Sequence, residues 1–133
     1  MCIIPFVEAT LKILSIGLGG AFGAVARYLV NISPLARLFD KFPFPTFAIN
    51  VSGSFLIGFL LILLTDKMPV SEYLRIMLLV GFLGAFTTFS TFEAEIWGLV
   101  KEGNFLTALG YLLLSVVFGF VAVVAGARVA QAL

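Results

Sequence analysis

Four long apolar segments separated by short polar breaks dominate the pattern of this chain. We predict membrane spans at residues 11–30, 46–64, 73–100 and 105–127. Each has about the 20 mostly apolar residues that a helix needs to cross a hydrocarbon core. Proline breaks the helical pattern in the run Phe-Pro-Phe-Pro at 42–45 and again at Pro69. The pattern therefore predicts an all-α integral membrane protein, with residues 1–133 forming a single four-span domain.

The third segment carries an unusual polar run. Gly84 precedes four hydroxyl residues within five positions, 87–91. As one continuous helix, residues 73–100 would be ~42 Å long, well beyond the ~30 Å hydrocarbon core. One reading is a tilted, unbroken helix. The other is a third helix broken mid-membrane near 84–88, which is tolerated only where the freed backbone lines a cavity or binds an ion. Freed carbonyls at Gly84 and Thr87 would suit a hard cation such as Na⁺.

Composition narrows the functional classes. The chain is 62% hydrophobic and 11% charged, far more apolar than a soluble domain. It has no His and one cysteine, Cys2, which excludes His/Cys metal sites and internal disulfides. A net charge of +1 offers no basic patch for nucleic acid. With no nucleophile–base pair and no metal cluster in the sequence, we predict that the protein is not an enzyme.

The basic residues give no orientation signal. An even number of spans puts both termini on one side, and the eight Lys and Arg residues then divide four against four, or four against three if Arg27 lies too deep in its span to count. The positive-inside rule therefore favours neither orientation. We predict insertion both ways up and an antiparallel, dual-topology homodimer with its two-fold axis in the membrane plane. The two sets are Lys12, Lys67, Arg75 and Arg128 on one side, and Arg27, Arg37, Lys41 and Lys101 on the other.

Small residues recur four positions apart along the apolar segments. This spacing lets helix backbones approach closely, either as ordinary packing within a subunit or as part of a tight bundle. The sets are Gly19 and Gly23, Ser54 and Gly58, Ser115 and Gly119, and Ala122, Gly126 and Ala130.

Polar groups at membrane depth are costly and become functional candidates. Arg27, near one end of the first span, either snorkels to the headgroups or provides a positive charge at the mouth of an anion path. Asn50, early in the second span, either bonds a neighbouring helix or donates its amide N–H groups to an anion. Glu93 and Glu95 follow the suspected break, and we place them toward the loop end, paired or hydrated.

Two further pairs share helical faces. Phe89 and Phe92, three positions apart, are either packing residues or rings whose positive edges face an anion. Tyr111 and Ser115, four positions apart, form a polar stripe on an otherwise apolar span. They either hydrogen-bond within the bundle or line a polar path.

These residues together resemble a known family. The run Gly-Ala-Phe-Thr-Thr-Phe-Ser-Thr-Phe at 84–92, the stretch 19–28 from Gly-Gly to Arg-Tyr, and Asn-Val-Ser-Gly-Ser-Phe at 50–55 resemble the Fluc (CrcB-type) fluoride channels. The resemblance covers all four spans. It implies an antiparallel homodimer with two pores in a bacterial plasma (inner) membrane. It also implies passive, selective export that keeps cytoplasmic fluoride low.

The resemblance also implies roles for individual residues. The ring edges of Phe89 and Phe92 would line the fluoride path, with Asn50 as the pore amide. Carbonyls of Gly84 and Thr87 from both subunits would hold a central structural Na⁺. Arg27 would be the arginine near the aqueous vestibule. The polar track beside the path would consist of Ser90, Thr91, Tyr111 and Ser115.

Two other classes fit the pattern less well. A small multidrug resistance exporter is also a four-span, dual-topology homodimer, but it depends on a carboxylate buried in the first span. Here that span contains Arg27 and no acid beyond Glu8 near its start. A purely structural subunit would have little reason to carry the costly polar run at 87–91.

Overall fold

The computed structural model describes the backbone of residues 3–133 and the side chains of residues 7–133; Cys2 lies outside the described residues. The described part of the chain is helical and contains no strand. Its α-helices are α1 (Ile3–Asn31), α2 (Phe44–Ile62), α3 (Glu72–Ile76), α4 (Leu83–Phe86), α5 (Phe89–Lys101) and α6 (Phe105–Ala132).

Four stretches are long and apolar enough to cross a membrane. They are Val7–Arg37, Phe44–Lys67, Glu72–Lys101 and Phe105–Ala132, and the third contains α3, α4 and α5. The prediction of an all-α, multi-pass integral membrane protein with four spans is confirmed. α6 runs five residues beyond the predicted end at 127, because Arg128 and Gln131 are ordinary helix formers and no Gly or Pro follows them.

Contacts between the connections show which ends of the helices lie together. At one end Lys41, which precedes α2, donates from Nζ to Oδ1 of Asn104, which precedes α6, at 3.3 Å. At the other end Lys67 Nζ donates to the carbonyl of Gln131 at 3.2 Å, joining the end of the second span to the end of α6. The first and third connections therefore share one end, and the second connection and the carboxyl end share the other.

The first span packs closely against the first half of the third span. Between α3 and α4 the chain forms a π-helical segment, Met77–Phe82. A Cβ placed on Gly19 would overlap the carbonyl of Met77, and one on Gly23 would overlap the carbonyl of Phe82. The absence of a side chain at these two positions is what permits the close approach. Gly19 and Gly23 therefore serve packing within the chain.

α2 and α6 form the other tightly packed pair. A Cβ on Gly58 would overlap the carbonyl of Val123, and one on Gly126 would overlap the carbonyl of Phe55. The small residues in the second halves of these two helices thus serve contacts within the chain. The polar residues of the third span are positioned by their packing against these two helix pairs.

The most buried side chains lie where α2, α5 and α6 meet. Tyr111, Ile49 and Thr46 are the largest side chains with almost no exposed surface. Tyr111 and Phe92 belong to a buried cluster that continues toward Leu99. The core of the chain therefore lies beside the second half of the third span and includes two aromatic residues that the sequence marked as candidates.

Candidate functional site

The helical path of the third span is interrupted at two residues. α4 ends at Phe86 and α5 begins at Phe89. Between them Thr87 and Thr88 have extended backbones, with φ/ψ of −76°/155° and −150°/116°. Such a change of direction removes several helical hydrogen bonds, so other partners must satisfy the freed groups.

Asn50 supplies two of those partners from α2. Its Oδ1 accepts from the backbone N–H of Thr88 at 2.9 Å, and its Nδ2 donates to the carbonyl of Thr88 at 3.0 Å. The pair of bonds fixes the amide plane and the assignment of its oxygen and nitrogen. Asn50 therefore holds the interruption from a neighbouring helix, which is the interhelical bond considered for it from the sequence.

The hydroxyl groups near the interruption bond locally. Thr88 is the N-cap of α5: its Oγ1 accepts from the N–H of Thr91 at 3.3 Å and lies 3.0 Å from Thr91 Oγ1. Thr87 Oγ1 donates back to the carbonyl of Leu83 at 2.8 Å. These bonds explain why a span in an apolar environment carries consecutive threonines. The hydroxyl of Thr87 bonds back to the end of α4, and the hydroxyl of Thr88 caps the start of α5.

A cavity of about 450 Å³ opens beside the interruption. It is lined by residues of α2, the third span and α6, and it contains six of the sequence candidates. None of the described residues that line it is charged. The candidates in its wall are Asn50, Gly84, Thr87, Phe89, Phe92 and Ser115.

The two phenylalanines of the cavity differ in environment. Phe92 is 5% exposed and packs edge-to-face on Tyr111, with ring centroids 4.9 Å apart. Phe89 is 74% exposed, and its centroid lies 6.0 Å from that of Phe92. The ring of Phe92 is thus packed in the core, while the ring of Phe89 projects from the protein surface at the rim of the cavity.

Ser115 contributes a hydroxyl that is free to bind. Its Oγ is buried and, among the described residues, has no hydrogen-bond partner. A buried hydroxyl without a partner costs free energy of about 1–3 kcal/mol. Because Ser115 lines the cavity, its Oγ–H is available to a ligand there.

Tyr111 belongs to a polar cluster behind Phe92, outside the cavity wall. Its hydroxyl donates to Glu95 Oε2 at 2.7 Å, and Thr46 Oγ1 donates to Glu95 Oε1 at 2.8 Å. The sequence placed Glu95 toward the loop end without assigning it partners. Glu95 lies six residues after Phe89 on α5, and only the tertiary packing brings it to Thr46 and Tyr111. A carboxylate spaced three residues from Phe92 was the available sequence signal.

The remaining candidates lie outside the cavity. Thr91 is half-buried and contacts Thr88, as described above, whereas Ser90 is exposed at the first turn of α5. Arg27 is half-buried in α1 and makes no ion pair within the described residues. Glu93 is exposed. The structure thus brings six candidates into one cavity and distributes the others around it.

The fold and the cavity define a small four-span membrane protein with an uncharged polar cavity beside an interrupted helix. Residues 14–127 match the family described as CrcB-like protein, Camphor Resistance (CrcB). The chain belongs to this family, as its sequence predicted.

Several curated relatives share most of the chain. A protein of Solibacter usitatus is 45% identical over 121 residues, covering 91% of this chain and 99% of its own length. One from Chloroflexus aurantiacus is 46% identical over 115 residues, covering 86% and 91%. One from Rhizobium meliloti is 42% identical over 121 residues, covering 91% and 97%. Each is named fluoride-specific ion channel FluC, a class of channels and not of enzymes. Their bacterial sources indicate a plasma-membrane location.

Proposed function

We propose that this protein conducts fluoride passively across the membrane and so lowers cytoplasmic fluoride. The observation that carries the proposal is the cavity, which gathers neutral donors and no charge: an amide N–H of Asn50, the unpartnered Oγ–H of Ser115 and the rings of Phe89 and Phe92. The naming of three relatives as fluoride-specific channels supports it.

Neutral donors match the chemistry of this ion. Fluoride is small and strongly hydrated, so a selective path must replace its water with hydrogen-bond donors and still release it. An amide and a hydroxyl supply N–H and O–H groups, and the ring edges supply a weaker positive potential. A cationic side chain in the path itself would attract the ion more strongly and slow its release. Ser90 and Thr91 extend the polar surface along the path, Tyr111 supports the ring of Phe92 from behind, and Arg27 attracts anions to the aqueous end.

We further propose that two copies pair in antiparallel orientation. Non-helical backbone at membrane depth is tolerated only where protein covers it or where it lines a water-filled space. Here the interruption lies next to Gly84, which is exposed, and Phe89, which is 74% exposed. A second copy covers this face, and the balanced Lys and Arg residues let that copy insert in the opposite sense. Each subunit's cavity then gives one of two pores.

A structural Na⁺ at the centre of the dimer completes the proposal. The backbone carbonyls of Gly84 and Thr87 are hard oxygen donors of the kind that Na⁺ prefers, and both residues line the cavity. Gly84 is exposed, and a Cβ placed on it would meet no atom within 4 Å, so a second copy can approach this residue closely. The ion would hold the two interrupted helices together.

Fluoride efflux from liposomes tests the function. Vesicles loaded with potassium fluoride and containing the purified protein should release fluoride when valinomycin carries the balancing potassium, with no proton gradient applied. Vesicles loaded with potassium chloride should release almost nothing. Equal release of chloride would overturn the proposal, as would fluoride release that requires a proton gradient.

A further inference from the structure

The interruption frees two particular carbonyls. In a continuous α-helix the N–H of residue i donates to the carbonyl of residue i−4. Gly84 would then pair with the N–H of Thr88, and Thr87 with the N–H of Thr91. In this structure both N–H groups are bonded to side chains: that of Thr88 to Asn50 Oδ1 at 2.9 Å, and that of Thr91 to Thr88 Oγ1 at 3.3 Å.

The diverted N–H groups, those of Thr88 and Thr91, are the helical partners that the two proposed cation ligands would otherwise have. We infer that Asn50 and Thr88 are positioning residues of the cation site, because their side-chain oxygens occupy the two amides that would otherwise pair with the carbonyls of Gly84 and Thr87. This inference rests on the proposed function. It explains why the carbonyls of Gly84 and Thr87 are free to bind a cation, which the sequence motif alone does not explain.

The bond from Asn50 also connects the cation site to the anion path. One N–H of its Nδ2 donates to the carbonyl of Thr88 at 3.0 Å. Among the described residues that nitrogen has no other acceptor, so its second N–H is left for the cavity that Asn50 lines. Because Oδ1 is held by the Thr88 N–H, the amide cannot flip to present its oxygen to an anion. The Asn50 side chain therefore leaves the Gly84 carbonyl free to bind the cation, and it holds its own second N–H in position to donate to the anion.

Replacing each oxygen tests the assignment through sodium binding, without any flux measurement. The Asn50→Leu variant keeps side-chain volume but removes the acceptor, so the Thr88 N–H can return to the Gly84 carbonyl. The Thr88→Val variant likewise returns the Thr91 N–H to Thr87. Melting temperatures of purified protein are measured in sodium and in N-methylglucamine buffers. We expect wild type to be stabilised by sodium, and both variants to lose most of that sodium-dependent shift.

Conservative variants separate the two roles of Asn50. Asn50→Asp keeps an oxygen that accepts from the Thr88 N–H, whether or not the carboxyl is protonated, but it has no second N–H for the cavity. It should retain the sodium-dependent shift and lose most fluoride efflux. Thr88→Ser should restore the shift that Thr88→Val loses. Ser15→Ala, which removes a bond from Oγ to the carbonyl of Leu11 within α1, is the matched control and should keep both properties.

The outcomes distinguish this inference from the proposed function. If wild type shows no sodium-dependent shift, or if Asn50→Leu keeps the full shift, the inference is overturned even when fluoride efflux is normal. If Asn50→Leu is too unstable to purify, the comparison of Asn50→Asp with wild type decides: loss of the sodium shift in Asn50→Asp contradicts the assignment. If wild type releases no fluoride, the proposed function fails, and the sodium measurements still test the cation site.

Discussion

Substituting the two cavity phenylalanines with isoleucine separates ring chemistry from packing. Phe89→Ile and Phe92→Ile both keep an apolar side chain but remove the ring quadrupole. If the ring edges face the anion, both variants should conduct less fluoride. If the rings only pack, the effects should follow their burial, which is 5% exposure for Phe92 and 74% for Phe89.

The structure gives unequal costs in stability for the two variants. Phe92→Ile loses the edge-to-face contact with Tyr111, whose centroid is 4.9 Å away; such pairs contribute ~0.5–1.5 kcal/mol. Adding up to ~1.5 kcal/mol for the change of shape predicts a free energy of unfolding lower by about 0.5–3 kcal/mol. Phe89→Ile lacks that buried contact and should cost at most about 1.5 kcal/mol.

Fluoride flux should fall in both variants despite this difference. If each ring edge contributes ~0.5–1.5 kcal/mol to the ion at its barrier, flux should fall by about two- to tenfold per ring. Efflux from liposomes at matched protein density measures the effect, and gel filtration checks that each variant elutes like the wild type. Phe120→Ile, an exposed ring on α6 outside the cavity wall, is the matched control and should keep normal flux. Near-normal flux in Phe89→Ile and Phe92→Ile variants that elute like the wild type would refute the role of the rings.

Three further predictions follow from the other polar groups. Ser115→Ala should lower fluoride efflux and leave the melting temperature unchanged or slightly higher, because its Oγ has no protein partner to lose; a large loss of stability would contradict this. Glu95→Gln should lower the free energy of unfolding by about 1–3 kcal/mol, since its carboxylate accepts from both Thr46 and Tyr111 and an amide can accept at only one atom. Reporters fused to the carboxyl end should be active on both sides of the membrane, and three lysines added to the 66–71 connection should bias them to one side; a one-sided result for the unmodified chain would rule out dual topology.

The four spans could be predicted from the sequence, as could six of the thirteen residues that line the cavity. A run of about 20 apolar residues has essentially one stable arrangement in a bilayer, which is why the four helices follow from hydropathy. The hydroxyl run after Gly84 is too costly for a simple packing helix, and this pointed to the residues beside the cavity. The interruption at Thr87 and Thr88 falls inside the stretch 84–88 that the sequence singled out.

Contacts between distant residues could not be predicted in the same way. Asn50 and Thr88 are 38 positions apart, and nothing in the local pattern of either indicates that two bonds join them. Glu95 could be placed after the break, but its partners Thr46 and Tyr111 depend on how α2 and α6 pack against α5. The π-helical segment Met77–Phe82 arises where the backbone meets the glycines of α1, a fit that a 3.6-residue period does not reveal.

The reversal potential of a purified channel in a planar bilayer tests the central claim most directly, that an uncharged cavity conducts fluoride selectively and passively. Fluoride is set tenfold higher on one side, with chloride equal on both sides and no pH difference. We predict a reversal potential close to the ~59 mV expected for a tenfold gradient of one monovalent ion. A reversal potential near zero would mean that chloride or another ion common to both sides carries the current, and it would contradict the account.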